Sequence, residues 1–226
     1  MTTGIDTSLL RLLQLASPML PVGAYAYSQG LEWAVERGWI ADEAGAADWI
    51  EGLLHHGLAH LDVPLLARIY RAFDDDRDAD AHAWSRSLHA ARESAELQAE
   101  QRQLGQSLAR LLADLDIPAA RPWVTLPYAG FVPLFALAAQ RWRVALDAAL
   151  GAYLWAWCEN QTAGAIKLVP LGQTAGQRIL SRLVAAIPRA VAAGLALDDG
   201  EIGALAPRLA IASALHETQY TRLFRS

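Results

Sequence analysis

Three closely spaced histidines offer the clearest candidate for metal chemistry in this chain. His56 and His60 are four residues apart, so a helix would place both imidazoles on one face, with His55 beside them. Imidazoles at this spacing can share a transition metal such as nickel. A two-histidine site needs further ligands, which the sequence does not assign, and Asp62 is one candidate. Two interpretations stay open, a metal site and, favoured over it, a group of partly buried structural histidines.

The other reactive residue types do not form a catalytic constellation. Cys158 follows Trp157 inside an apolar run, which predicts a core residue because a reactive thiolate needs an exposed, electropositive setting. The acidic run 74–80 lacks the glycine and the later glutamate of a calcium loop and is interpreted as a solvated loop. Gly172 and Gly176 are not part of a Gly-Lys-Ser/Thr phosphate loop. We therefore predict no catalytic residue, no metal and no cofactor.

One helical segment carries a row of carboxylates. Residues 84–115 are predicted to form one long helix or two nearly continuous ones, with Glu93, Glu96 and Glu100 on a face away from its leucine seam. Such a row is either an acidic recognition stripe or, as we favour, a solvated helix face. Gly105 lies inside the same segment. Because glycine weakens a helix, its presence predicts that another backbone or a bulky side chain approaches closely there.

Composition narrows the class of protein. The chain has 226 residues, 54% of them hydrophobic, and a net charge of −5, which predicts a globular domain and excludes global disorder. The acidic balance, with Lys167 as the only lysine, argues against nucleic-acid binding. A single cysteine permits no internal disulfide. The N-terminal residues lack the basic and apolar regions of a signal peptide, so we expect a cytoplasmic protein.

Helical periodicity without alternating β-branched runs predicts an all-α protein, a single-domain bundle of roughly eight to ten helices spanning residues 1–226. Residues 144–158 are almost wholly apolar, but charges at both ends make this run too short to span a membrane, so it is predicted to be the buried central helix. Asp42 is a predicted helix cap. Thr174 is expected to cap a later helix that ends before Pro188.

The N-terminal quarter contains a predicted elbow between two helices. Pro21 and the preceding Pro18 lack backbone donors, and Gly23 tolerates positive φ, so the chain must leave helical geometry there. Tyr25 follows at once, and Ser28 is expected to cap the next helix.

Three ordered motifs carry a resemblance to a known family. They are LASPMLPVGAYAYSQGLE at 15–32, VPLGQTAGQRIL at 169–180 and HETQYTRLFRS at 216–226. Together they resemble the signatures of the urease accessory protein UreF family. The motif positions singled out on this basis as structural are Pro21, Gly23, Ser28, Gly30, Glu32, Gly172, Gln173, Gly176 and Gln177.

The resemblance implies a non-enzymatic urease maturation factor. Such a protein is a nickel-insertion chaperone or scaffold that binds the accessory protein UreD/UreH and recruits or regulates the GTPase UreG during nickel delivery to the urease apoenzyme. It also implies a homodimer without nucleic-acid or membrane partners. The alternative from the residues themselves is a small metal-dependent hydrolase that uses His55, His56 and His60.

The C-terminal tail, residues 216–226, is the predicted partner-docking segment. Aromatic residues and arginines are interleaved there, and both are enriched in interface hot spots. The tail can equally be a last turn folded on its own core, but the resemblance favours docking, with order gained upon the partner. The predicted partner-binding residues are His216, Glu217, Gln219, Tyr220, Arg222, Leu223, Phe224, Arg225 and, in the elbow, Tyr25.

Overall fold

A computed structural model describes residues 6–226, which fold into ten α-helices without any strand. The all-α prediction is confirmed. With a π-helical turn at Leu54–Leu58 counted separately there are eleven helices, slightly more than expected. The first five residues of the predicted domain lie outside this description. The helices are α1 Thr7–Leu15, α2 Leu31–Glu36, α3 Glu43–Leu53, α4 Asp62–Asp74, α5 Asp78–Ala90, α6 Ala95–Asp114, α7 Phe131–Arg141, α8 Leu146–Leu168, α9 Gln173–Leu195 and α10 Pro207–His216.

Helix α8 runs through the middle of the bundle and contacts α2, α3, α4, α7 and α9. The predicted central helix is therefore present, although it extends ten residues beyond Cys158. Cys158 is fully buried, and burial raises the pKa of its thiol to about 12, which confirms it as a core residue. Within residues 6–226, no helix has both the length and the apolarity needed to cross a bilayer.

Two glycines shape the elbow, which occupies residues 16–30 between α1 and α2. Gly23 has φ +84° and Gly30 has φ +77°, so both adopt the left-handed conformation that other residues rarely tolerate. Gly30 precedes α2 as its N-cap and lies against α10, where a Cβ would come within 2.9 Å of the Ala212 Cβ. The prediction that Ser28 is the N-cap of this helix is therefore wrong. Its hydroxyl accepts from the Glu32 N–H at 3.3 Å, but it also turns toward the C-terminal tail.

Close backbone packing at Gly105 confirms the sequence prediction for α6. A Cβ at this position would lie 2.5 Å from the carbonyl carbon of Gly130, in the segment that leads into α7. The absence of a side chain lets α6 approach that backbone directly. The predicted long segment is divided into α5 and α6, and the Ser94 side chain caps α6 by accepting from the Leu97 N–H at 3.1 Å.

The second motif forms the turn from α8 into α9. Gly172 is the N-cap of α9 without a side-chain bond, so the predicted Thr174 cap is wrong, and Gln173 begins the helix. Gly176 packs against Ile166 of α8, which allows the two helices to meet closely. The predicted end before Pro188 is also wrong, because α9 continues to Leu195. Its apolar stripe packs on the core on both sides of the proline, and this burial outweighs the lost hydrogen bond.

Candidate functional site

The C-terminal tail lies against the protein's own core through a buried carboxylate of α2. The Glu32 carboxylate accepts the backbone N–H of Leu223 at 2.6 Å and that of Phe224 at 2.9 Å. The Phe224 side chain is buried beside Gly164 of α8. Contrary to the prediction that the tail orders only upon a partner, this chain holds it by itself. The physical reason is that Glu32 supplies acceptors for two tail amides inside the molecule.

His216 joins two helices at the base of the tail. The side chain is fully buried, with Nδ1 2.7 Å from Oε2 of Glu96 on α6 and Nε2 3.2 Å from Oε2 of Glu32 on α2. Both contacts are hydrogen bonds when both ring nitrogens carry protons. Arg222 donates to the other oxygen of Glu96 at 2.6 Å. His216 therefore belongs to the internal support of the tail rather than to its outer surface.

Glu100 is hydrogen-bonded both to the end of the tail and to a side chain of the elbow. Its two oxygens accept from the Ser226 hydroxyl at 2.9 Å and from the Gln29 amide at 2.7 Å. The residue is only 3% exposed, and burial raises the pKa of its carboxyl group to about 7 even though both hydrogen bonds oppose the shift. The predicted solvated helix face is wrong for Glu100 and for the largely buried Glu96. Glu93 is exposed, but it lies before α6 and not on a helix.

The backbones of the elbow and the tail are also bonded directly. The Arg225 N–H donates to the Ala26 carbonyl at 2.8 Å, and the Ser28 N–H donates to the Ser226 carbonyl at 2.7 Å. The Ser28 hydroxyl donates to the same carbonyl at 2.5 Å. We call this assembly the clasp: tail residues 216–226 with Glu32, Glu96, Glu100 and elbow residues 26–28. The first and third sequence motifs thus meet in one structural unit.

The predicted partner-binding residues divide into an inner and an outer set. His216 and Phe224 are buried and hold the tail in place, so they do not face a partner in this conformation. Tyr25 and Leu223 are 71% and 65% exposed, and Tyr220 is fully exposed. The remaining residues lie at the surface or partly covered: Glu217, which accepts from the Ala95 N–H, Gln219, which donates to the Thr221 carbonyl, Arg222 and Arg225.

A buried ion pair lies beside the clasp. Arg92 donates to both oxygens of Asp62, at 2.6 and 3.2 Å, and the Tyr153 hydroxyl donates to Asp62 at 2.6 Å. Burial alone would lower the pKa of Arg92, but the Asp62 carboxylate outweighs it and the pKa is raised. Burial, together with the Asp62 charge, raises the pKa of Tyr153. These pairings give the Asp62 carboxylate and the Tyr153 hydroxyl partners in the core, whereas the Arg92 Nε has no hydrogen-bond partner.

Sequence reasoning missed Glu100 although one signal was present. Leu97, Glu100, Leu104 and Leu108 recur at helical spacing, so Glu100 lies on the apolar face of α6 rather than opposite to it. A carboxylate on a buried face needs internal partners. The identity of those partners, Gln29 and Ser226, has no local signature.

The structure does not assemble the histidine cluster into a metal site. His55 lies in the π-helical turn, 3.7 Å from Glu51, and burial is the main cause that lowers its pKa. The candidate ligand Asp62 is already engaged by Arg92. Over the part of the chain that is described, no three His, Cys, Asp or Glu side chains are grouped to hold a metal. Instead, the carbonyls of His56 and His60 accept backbone N–H groups from residues 203–205.

Comparison with known proteins identifies relatives along nearly the whole chain. The UreF family model matches residues 40–184. The urease accessory protein UreF of Alkalilimnicola ehrlichii is 56% identical over 216 residues, 96% of this chain and 95% of the relative. The proteins of the same name from Azoarcus sp. strain BH72 and Marinobacter nauticus are 53% and 50% identical over 223 and 225 residues, covering 96% and 99% of this chain and 95% and 96% of the relatives.

Proposed function

Because the chain belongs to the UreF family of urease accessory proteins, we propose that it is a non-enzymatic scaffold in urease maturation. In this proposal it acts in the cytoplasm as a homodimer, binds the accessory protein UreD/UreH, and recruits or regulates the GTPase UreG during nickel delivery to the urease apoenzyme. The accessory role follows from the family. The particular partners and the nickel step are the parts that need testing.

The partner assignment rests on the clasp and on the exposed residues of the outer set, which include Tyr25, Tyr220 and Leu223. Tyr25 directly precedes Ala26, whose carbonyl accepts the Arg225 N–H, so an exposed aromatic ring lies beside the backbone of an exposed arginine of the tail. Aromatic and arginine anchors carry much of the binding energy in protein interfaces. Because the clasp already orders the tail, a partner would not have to supply the full ordering entropy.

Binding of the partner can be tested with residues that the core does not use. The double variant Tyr220→Ala, Leu223→Ala removes two exposed apolar side chains and leaves the Glu32 and Glu100 contacts intact. We expect at least about thirtyfold weaker binding to UreD/UreH in a pull-down and a titration, with an unchanged melting temperature. The control is Val184→Ala, an apolar residue on α9 that is 54% exposed. Wild-type affinity in the double variant would refute the assignment of the tail.

The metal-hydrolase alternative has a separate test. His56→Gln combined with His60→Gln removes both imidazoles of the candidate pair. Under the scaffold proposal, urease activation in a cell-free maturation assay stays near wild type, and any loss follows a fall in thermal stability. Loss of activation at unchanged stability would instead favour chemistry at these histidines.

A further inference from the structure

The turn that joins the elbow to α2 has an unusual backbone. The Leu31 N–H donates to the Ser28 carbonyl at 3.2 Å, which closes a four-residue turn with Gln29 and Gly30 at its centre. Gln29 has φ +53° and Gly30 has φ +77°, so both central residues are left-handed, as in a type I′ turn. That conformation suits glycine, asparagine and aspartate, whereas it strains a longer side chain such as glutamine. The strain at Gln29 needs a compensating interaction.

Two hydrogen bonds of the Gln29 side chain supply that interaction. Its Nε2 donates to Glu100 of α6 at 2.7 Å, and its Oε1 accepts from the Trp157 indole of α8 at 2.8 Å. The amide thus lies between two helices and uses both its donor and its acceptor. The following residue, Gly30, lies tightly against α10. Release of the side-chain bonds would therefore let the turn relax at Gln29 and not at Gly30.

Packing alone does not fix the position of the elbow. Pro18, Leu20 and Val22 of the elbow line a cavity of about 190 Å³ that also borders α6 and α8. Side chains beside a cavity lack contact partners on that side, so dispersion forces hold them less firmly. Met19, on the opposite side of the elbow, is 85% exposed. The position of the elbow therefore depends on its hydrogen bonds as well as on burial.

The end of the tail shares the hydrogen bonds of this turn. Glu100, which accepts from Gln29, also accepts from the Ser226 hydroxyl at 2.9 Å. The Ser226 carbonyl in turn accepts the N–H of Ser28, the residue before Gln29, at 2.7 Å. Neither segment can leave its place without breaking contacts of the other. Shared contacts of this kind make the free energies of two segments non-additive.

We propose that Gln29 is a strained latch through which the elbow and the tail open and close as one unit. In the closed state, the bonds to Glu100 and Trp157 hold the left-handed turn, and the turn directs the Ser28 N–H toward the tail. When the end of the tail leaves Glu100, the turn relaxes at Gln29 and the elbow lifts from its cavity, together with the exposed ring of Tyr25. The inference concerns the chain alone and does not rest on the proposed function.

The latch can be tested by hydrogen exchange of single amides in the full chain, followed by NMR. Gln29→Ala removes the side-chain bonds but keeps a residue that is strained at positive φ. We expect the Arg225 N–H of the tail to exchange at least about tenfold faster, because both hydrogen bonds of the latch are lost. The Val144 N–H at the end of α7, which donates to the Ala139 carbonyl, is the internal reference and should be unchanged. A wild-type rate at Arg225 would overturn the proposal.

The coupling is tested in the opposite direction with Ser226→Ala, which removes the hydroxyl that donates to Glu100. Because coupling between two sites is reciprocal, the Leu31 N–H that closes the elbow turn should exchange at least about threefold faster. Ser181→Ala, an exposed serine on α9, is the matched control and should leave this rate unchanged. A wild-type rate at Leu31 in Ser226→Ala would show that the tail and the elbow open independently, which refutes the latch.

Further variants separate a strained latch from ordinary packing. Trp157→Phe removes the indole donor to Gln29 and should speed exchange at Arg225 about threefold, whereas Trp155→Phe on the same helix should not. The double variant Gln29→Ala, Trp157→Phe should exchange about as fast as Gln29→Ala alone, since both changes break the same bond. Gln29→Gly relieves the backbone strain and should exchange about threefold more slowly than Gln29→Ala. Multiplied effects in the double variant, or equal rates in Gln29→Gly and Gln29→Ala, would contradict the proposal.

Discussion

The clasp and the surface between α3 and α9 both contain charged side chains that make short hydrogen bonds, but the two regions differ in burial. On that surface, Arg178 binds Glu43 with two hydrogen bonds of 2.8 and 2.5 Å. Arg182 donates to Asp48 and Glu51, at 2.8 and 2.6 Å. We call these contacts the ladder. Its bonds are as short as those of the clasp, but its arginines are about half exposed, whereas His216 in the clasp is fully buried.

The comparison shows that the length of a hydrogen bond is a poor guide to how much a pair contributes to stability. Water competes for exposed charges and salt screens them, so ladder pairs contribute little each. In the clasp, removal of one partner leaves buried groups unsatisfied, which costs far more than the intact pair contributes. The clasp should therefore control the stability of the tail, and the ladder should mainly orient α9 on α3.

The largest effect is expected from Glu32→Ala in the clasp. This change leaves the N–H groups of Leu223 and Phe224 and one nitrogen of His216 without their acceptor. We expect a loss of about 3–5 kcal/mol in the free energy of unfolding, measured by urea denaturation, or release of the tail to proteases. Glu36→Ala on the same helix is the exposed control. A loss below about 1 kcal/mol with a protected tail would show that the clasp is not a stabilising unit.

Glu100→Gln tests the protonation of the clasp and should have the next largest effect. The folded-state pKa of about 7 lies above the ordinary glutamate pKa of 4.5, so the folded protein binds this proton more tightly than the unfolded chain does. The stabilisation is fully present below pH 4.5 and is lost as the pH rises through 7. From the shift, the difference in stability between wild type and variant should change by about 3 kcal/mol across this window.

The measurement for Glu100 is chemical denaturation of wild type and Glu100→Gln at a series of pH values. Subtraction of the two curves removes the titration of all other groups. Glutamine keeps the size of the side chain and an acceptor for Gln29, so the variant should remain folded. A difference that stays constant between pH 4.5 and 7 would contradict a raised pKa at Glu100.

Arg182→Ala in the ladder should have the smallest effect. Because the side chain is about half exposed, we expect the free energy of unfolding to fall by at most about 1 kcal/mol at low salt. The loss should be smaller at molar salt, where the charges are screened. Thermal unfolding at both salt concentrations provides the measurement. A salt-independent loss as large as that of Glu32→Ala would erase the distinction between the two regions.

Local features of the structure were predictable because their causes lie within a few residues. The Asp42 side chain caps α3 by accepting from the Gly45 N–H at 2.8 Å, as expected for an aspartate at that position. Gly23 has the positive φ that its place after two prolines indicated. Gly105 inside a helix indicated that another segment packs closely there, although the sequence did not show that this segment is the backbone of residues 129–130. The apolar run around Cys158 indicated a buried helix without any knowledge of its neighbours.

By itself, the sequence determined the helical class, the elbow, the central helix and the membership of the three motifs in one family pattern. Only the tertiary structure decided that Glu32 and Phe224, 192 residues apart, are hydrogen-bonded, and that Glu100 meets Ser226 across 126 residues. Periodicity and capping report short-range interactions. The partner of a buried carboxylate depends on which helices pack together, and that choice is made by the whole core.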